Sequence, residues 1–100
     1  MLPNEIMGLL GLAQRAGKIV FGTTAVESEL RRPREILLIF AEDFSAATKG
    51  KLLAAAVKPP QVLQAGTMAE WGKHFGRQQV GVIAVADKNF AAGIWAKVQP

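Results

Sequence analysis

Residues 13–32, AQRAGKIVFGTTAVESELRR, decide how the rest of the chain is arranged. Gly17 predicts the end of a first helix, because glycine accepts the left-handed conformation that closes a last turn. Residues 18–21 follow as a short strand rich in β-branched and aromatic side chains. Thr24 and Glu27 then fit a capping box at the start of a second helix. Backbone N–H groups at such a helix start can bind a phosphate, although the pair could equally serve only to cap the helix.

The remainder of the sequence repeats this alternation of helix and strand. Residues 35–41, EILLIFA, and 80–86, VGVIAVA, are continuous apolar runs, as expected of strands covered on both faces. Residues 61–65, QVLQA, alternate weakly, which favours an edge strand, and Thr67 and Glu70 predict a second capping box. The predicted order αβαβαβαβα implies an α/β protein, a three-layer α/β/α sandwich.

Composition limits the kind of protein this can be. A chain of 100 residues, half of them hydrophobic and 20% charged, is expected to fold as one globular domain over residues 1–100. It contains no cysteine, which excludes disulfides, and His74 is the single histidine, which argues against a histidine metal site. We see neither an apolar run long enough for a bilayer nor a secretion signal, so a cytoplasmic protein without membrane contact is the expectation.

The charge balance points to a polyanionic partner. Lys and Arg outnumber Asp and Glu by 12 to 8, which gives a formal net charge of +4. Such a basic excess favours RNA or another nucleic acid as the partner.

Groups that could carry out catalysis are sparse. Glu42 and Asp43 follow a buried strand, but sequence neighbours point in different directions, and an acidic start to the third helix is the simpler interpretation. Lys73 and His74 are also sequence neighbours, so their side chains point in different directions and do not form a catalytic pair. The Gly22 turn lacks the lysine and the spacing of a phosphate-binding P-loop. We therefore expect no enzyme activity, no cofactor and no metal.

Three stretches, taken together and in order, carry a family resemblance. They are LLGLAQRAGKIVFGTTAVESELRR at residues 9–32, LLIFAEDFSAATKGKL at residues 37–52 and EWGKHFGRQQVGVIAVAD at residues 70–87. Through them the chain resembles the ribosomal protein L-seven-Ae / L-thirty-e family of kink-turn RNA binders, and especially its short bacterial YlxQ-type branch.

The resemblance implies that three neighbouring pieces recognise a sharply bent RNA. By position these pieces are Gly22–Ser28, Glu42–Phe44 and Gly76–Gln79. For them to meet, the fourth strand must run opposite to the first two, so the resemblance implies a four-stranded mixed sheet. Simple βαβ reasoning alone would favour an all-parallel sheet.

The second helix departs from the family's RNA-reading signature, Gly-x-Asn-Glu-x-x-Lys. Thr24, Ala25 and Ser28 stand here where the family has Asn, Glu and Lys. Thr24 keeps a hydroxyl, whereas Ala25 offers no polar group to a base edge. The expectation is RNA contact through backbone N–H groups, hydroxyls and basic side chains, with weaker or different specificity than the ribosomal members.

The candidate RNA-binding residues come from this comparison and from the local pattern. Phosphate contacts are predicted for basic side chains, and close backbone approach or hydroxyl contact for the second helix. The full predicted set is Arg15, Lys18, Gly22, Thr23, Thr24, Ser28, Glu42, Asp43, Phe44, Arg77, Gln78 and Gln79. The expected partner is ribosomal or another structured RNA, with a ribosome or protein partner also possible.

A different reading keeps the fold but not the RNA site. Under this hypothesis the chain is a protein-interaction module. Ala25 and Ser28, which replace family residues that contact RNA, suggest it. Trp71 would also suggest it if it were exposed, since aromatic residues are enriched at protein interfaces. The pairing of Trp71 with Phe75 one turn later is more typical of a core.

Overall fold

The computed structural model describes residues 1–98, which form helices and strands in strict alternation. The elements are α1 Asn4–Arg15, β1 Ile19–Phe21, α2 Thr23–Leu30, β2 Leu37–Phe40, α3 Ala46–Ala55, β3 Gln61–Gln64, α4 Met68–Phe75, β4 Val82–Val85 and α5 Lys88–Val98. Among residues 1–98, no helix combines the length and the apolar character needed to cross a membrane.

The four strands form one mixed sheet in the order β1-β4-β2-β3. Strand β4 pairs antiparallel with β1 and β2, while β2 and β3 are parallel. The front end of the sheet is defined here as the end where β1, β2 and β3 finish and β4 begins; the rear end is the opposite one. The mixed topology is confirmed, and simple βαβ reasoning would have been wrong.

Helices cover both faces of the sheet and produce two apolar cores. On one face, Ile6, Leu10 and Ile94 of α1 and α5 pack with Trp71 of α4 against the sheet. On the other, Val26, Leu30 and Leu52 belong to a second cluster, contributed by α2 and α3. The predicted three-layer α/β/α sandwich is therefore confirmed. Strand β3 lies at an edge, as its weak alternation indicated.

The starts of the helices match the sequence prediction only in part. Helix α4 has the predicted capping box: the Thr67 side chain accepts from the Glu70 N–H and the Glu70 carboxylate accepts from the Thr67 N–H. The box predicted for α2 is wrong. The chain enters α2 directly from Gly22, so Thr24 already lies inside the helix and no side chain caps it.

The acidic start predicted for α3 is also wrong. Ser45 is the N-cap of α3, and its hydroxyl accepts from the Thr48 N–H at 3.2 Å. Asp43 lies outside α3, and its carboxylate accepts from the Met68 N–H at 2.8 Å. The side chain that follows β2 therefore caps α4 and ties two separate parts of the chain together.

Candidate functional site

The start of β4 joins the pieces that the resemblance singled out. The Gly22 N–H donates to the Val82 carbonyl at 3.4 Å, and the Ala41 N–H donates to the Gly81 carbonyl at 2.9 Å. The segment before β4 thus contacts both the entry to α2 and the loop that follows β2. The pieces Gly22–Ser28, Glu42–Phe44 and Gly76–Gln79 lie together at the front end of the sheet.

The loop after β2 is fixed to β4 by Phe44. The ring of Phe44 is half-buried and lies 5.7 Å from the Phe40 ring, centroid to centroid. A methyl group on Gly81 would overlap the Phe44 ring, so glycine is what lets the ring pack on the backbone just before β4. Glu42 and Asp43, on the same loop, are exposed.

The loop before β4 is set by two glycines. Gly76 ends α4 in the left-handed conformation, with φ of 69°, which glycine adopts without strain. The Arg77 N–H then donates to the Gly72 carbonyl at 2.7 Å. Gly72 is buried against the backbone of Arg77 and Gln78, where a side chain would not fit. The exposed side chains of Arg77, Gln78 and Gln79 are thereby held at the front end.

An aromatic row supports Arg77. Its guanidinium carbon lies 4.2 Å above the centroid of the Phe21 ring, which is favourable as a cation–π contact. Phe21 meets Phe75 edge-on at 4.8 Å, and Phe75 stacks on Trp71 at 6.0 Å. Trp71 is only 1% exposed, and its indole N–H donates to the Ala65 carbonyl at 2.7 Å, so it belongs to the core.

The start of α2 is open to solvent. Gly22 has φ of 85°, and no side-chain oxygen accepts from the first N–H groups of the helix. Those N–H groups have no partner within the helix itself. Thr23, Thr24, Ala25 and Ser28 are all exposed around them. This helix start can therefore offer backbone donors and hydroxyls to a ligand.

Glu70 stabilises the start of α4, and its own hydrogen bonds displace its pKa. Its carboxylate accepts a hydrogen bond at 2.8 Å from the amino group of Met1, and a second from the Thr67 N–H at 2.9 Å. These bonds lower the pKa of Glu70 from its usual 4.5, and the same contact raises the pKa of the Met1 amine. The hydrogen bonds of Glu70 therefore orient the start of α4 at the surface, and Glu70 is not a buried reactive group.

Two contributors to the front end were not predicted from the sequence. Phe21 is predicted only as part of the strand at residues 18–21, and Lys49 is not among the predicted site residues. The Lys49 ammonium lies 5.2 Å from the Phe40 ring, next to the loop that carries Phe44. Its position one turn after the Ser45 cap is the signal that could have placed it there.

Arg15 and Lys18 lie away from the other ten predicted site residues. The Lys18 N–H donates to Ala13 at the end of α1, and the Lys18 carbonyl accepts from the Ala86 N–H after β4. Both contacts place Lys18 at the rear end of the sheet, and Arg15 ends α1 beside it. Three residues of extended chain lie between Lys18 and Gly22, and the four steps from one to the other span about 13 Å. Proximity in sequence did not mean proximity at the site.

The functional groups at the front end are exposed ones. No polar or charged side chain is buried among residues 1–98, and no group of three or more potential ligands there could hold a metal ion. What the surface offers is backbone N–H groups, hydroxyls, a guanidinium and aromatic faces.

Comparison with known proteins gives one curated relative and one solved structure of note. The chain is 36% identical over 89 residues to the RNA-binding protein YlxQ of Bacillus subtilis, covering 87% of this chain and 88% of that protein. A solved Bacillus halodurans protein of unknown function is 30% identical, with a TM-score of 0.78 over 92% of this chain and 94% of that one. No family model matches the sequence.

Proposed function

Because this chain belongs to the ribosomal protein L-seven-Ae / L-thirty-e family, in its bacterial YlxQ-type branch, we propose that it binds RNA at the front end of its sheet. The name of the Bacillus subtilis relative supports RNA as the partner. The observation that carries the proposal is the meeting of an uncapped helix start, two neighbouring loops and Arg77 around the first residues of β4.

Each part has a role that RNA chemistry can use. The open N–H groups of α2 donate to a phosphate, and the absence of a side chain on Gly22 allows the RNA backbone to come close. Thr23, Thr24 and Ser28 supply hydroxyls to sugar and phosphate oxygens. Arg77, held on the Phe21 ring, presents its donors to a phosphate, while Phe44, Gln78 and Gln79 border the same surface.

The RNA we propose is structured, either kink-turn-like or ribosomal. The family resemblance supports this choice, and the ribosomal members of the family support a cytoplasmic role in translation. Base reading is expected to be weaker than in those members, because Ala25 has no polar atom to offer to a base edge. Asp43 acts by shaping the loop, since its carboxylate is already engaged with α4, and the exposed Glu42 borders the same surface.

The Arg77→Ala variant tests the proposal. We expect it to bind a kink-turn RNA hairpin more weakly and to reduce the slope of log K against log salt by about 0.7 to 0.9, the loss of one phosphate contact. Fluorescence anisotropy over a salt series measures both. Arg77→Lys should keep most of the slope, and Lys51→Ala, which removes an exposed lysine from α3, should change affinity little. An unchanged affinity of Arg77→Ala at low salt would refute the assignment.

A protein-interaction module on the same surface is the second candidate. The charge balance at the front end supports this candidate, because a surface without excess positive charge does not favour a polyanion over a protein. The basic side chains there are Lys49, Lys73 and Arg77, and the acidic ones are Glu42, Asp43 and Glu70. Trp71, which might have favoured it, is buried. A stoichiometric protein partner that co-purifies equally well after RNase treatment, together with no enrichment of any RNA after crosslinking in cells, would favour this candidate.

A further inference from the structure

The positive charge of the molecule is concentrated at the rear end of the sheet, not at the front. Seven of the twelve basic residues lie at the rear, with three acidic ones, while Glu27, midway along α2, pairs with one of the seven, Arg31. The basic set is Arg15, Lys18, Arg31, Arg32, Arg34, Lys58 and Lys88, and the acidic set is Glu29, Glu35 and Asp87. Since the front end is balanced, the rear end accounts for most of the net charge.

Four of these cations form a row across the sheet. Lys18 precedes β1, Lys88 follows β4, Arg34 precedes β2 and Lys58 precedes β3. The strand order β1-β4-β2-β3 therefore sets the order Lys18, Lys88, Arg34, Lys58. With neighbouring strands about 4.8 Å apart, the row is about 14 Å long.

The row is accessible, and part of it is free of carboxylates. All four side chains are exposed. Arg34 pairs with Glu29 and Lys58 with Glu35, whereas neither Lys18 nor Lys88 forms an ion pair with the residues that the structure describes. An open cleft of about 450 Å³ is lined by these three cations, Arg34, Lys58 and Lys88, and by two carboxylates. Of the carboxylates, Glu35 is paired with Lys58 and Asp87 accepts from the first N–H groups of α5. The row can thus accept anionic groups in a cleft as well as on a flat surface.

We propose that the rear row binds the sugar–phosphate backbone of a second RNA segment, one that flanks the segment held at the front end. This inference rests on the proposed function. A row of exposed cations on a polar surface matches a phosphate backbone, which attracts Lys and Arg without reading sequence. An acidic protein fits less well, because no aromatic side chain lines the cleft and protein interfaces are enriched in such side chains.

The double variant Lys18→Gln/Lys88→Gln tests the rear row. Its matched control is Lys51→Gln/Lys97→Gln, which removes the same charge from exposed positions on α3 and α5. The probes are one kink-turn RNA with short stems, the same RNA with long stems, and a plain RNA duplex. We expect the rear variant to leave short-stem binding unchanged. On the long-stem RNA its salt slope should fall by about 1.4 to 1.8, the loss of two phosphate contacts.

Outcomes on the different probes separate this proposal from the one for the front end. Equal salt slopes for the rear variant and its control on the long-stem RNA would overturn the rear row, and would leave an acidic protein as the occupant to test. Failure of Arg77→Ala to affect the short-stem RNA would count only against the front site. The rear proposal would still stand if the rear variant alone weakened binding to the plain duplex.

Discussion

At the scale of single residues, the front end depends on how closely the chain approaches itself at Gly72. A Cβ atom at this position would lie 2.5 Å from the Gln78 carbonyl oxygen and 2.8 Å from that of Arg77. These are backbone atoms that cannot rotate away, so the loop before β4 would have to move outward. Gly72 is therefore part of what brings Arg77 to the Phe21 ring.

Gly72→Ala should destabilise the protein by about 1 to 3 kcal/mol, as an overpacked site does. It should also weaken RNA binding, because Arg77 would be displaced. Urea unfolding followed by circular dichroism measures the stability change. The matched control is Gly50→Ala in α3, where a Cβ meets nothing within 4 Å. That control should stabilise the protein by about 0.5 to 1 kcal/mol. Equal stability of the two variants would contradict this account.

Contacts of this kind could not be predicted from the sequence. The pattern around Gly72 showed a short helix with an apolar face, but not which backbone would pack on the glycine. The Arg77–Phe21 contact joins the loop before β4 to the last residue of β1, and these two residues are far apart in sequence. Trp71 could be placed in the core because Phe75 follows it one turn later, and the structure agrees.

At the scale of elements, two similar Thr-x-x-Glu sequences behave differently. Thr67 has extended dihedrals, φ −107° and ψ 162°, which let its side chain turn back onto the first turn of α4. Thr24 lies one residue inside α2, and Glu27 pairs instead with Arg31 at 3.3 Å. The sequence gives the capping residues, but the preceding backbone decides whether they can cap. At α2 the glycine makes the turn alone and leaves the N–H groups open.

The two threonines should therefore differ in their effect on stability. Thr67→Ala is expected to lower the free energy of unfolding by about 0.5 to 2 kcal/mol, the usual loss for an N-cap residue. Thr24→Ala should change it by no more than about 0.5 kcal/mol, as for other exposed surface positions. Thermal unfolding of both variants, with Thr67→Ser as the conservative control, makes the comparison. A similar loss for both would mean that Thr24 does cap α2 in solution.

At the scale of the whole molecule, the sequence predicted the layers but not the arrangement of charge. Alternating helices and strands were enough for the α/β/α sandwich, because each strand needs cover on both faces. The direction of β4 came only from the family resemblance. Arg15 and Lys18 were predicted to share a surface with Gly22, yet the length of β1 separates them. The direction of a strand determines at which end of the sheet a neighbouring side chain lies, and composition does not show that direction.

The stability of the whole fold should depend on pH through Glu70. Its pKa is lowered in the folded state, so it stabilises the fold above its usual 4.5, and that contribution is lost as the pH falls through the lower folded value. Unfolding midpoints in urea, measured from neutral pH to about pH 3, should fall more steeply for the natural protein than for Glu70→Gln. The variant should be the less stable of the two at neutral pH. Parallel curves would show that Glu70 does not contribute.

The position of β4 has a consequence for how the molecule opens. Each of its residues pairs with β2 on one side, and three of the four also pair with β1 on the other, while the strand itself is fully buried. Exchange of the full set of its amide hydrogens with solvent therefore requires both ladders to separate, an event close to global unfolding. Both ends of the sheet are anchored to this strand, and we expect its amides to exchange most slowly. Their separation is accordingly preserved for as long as the protein remains folded.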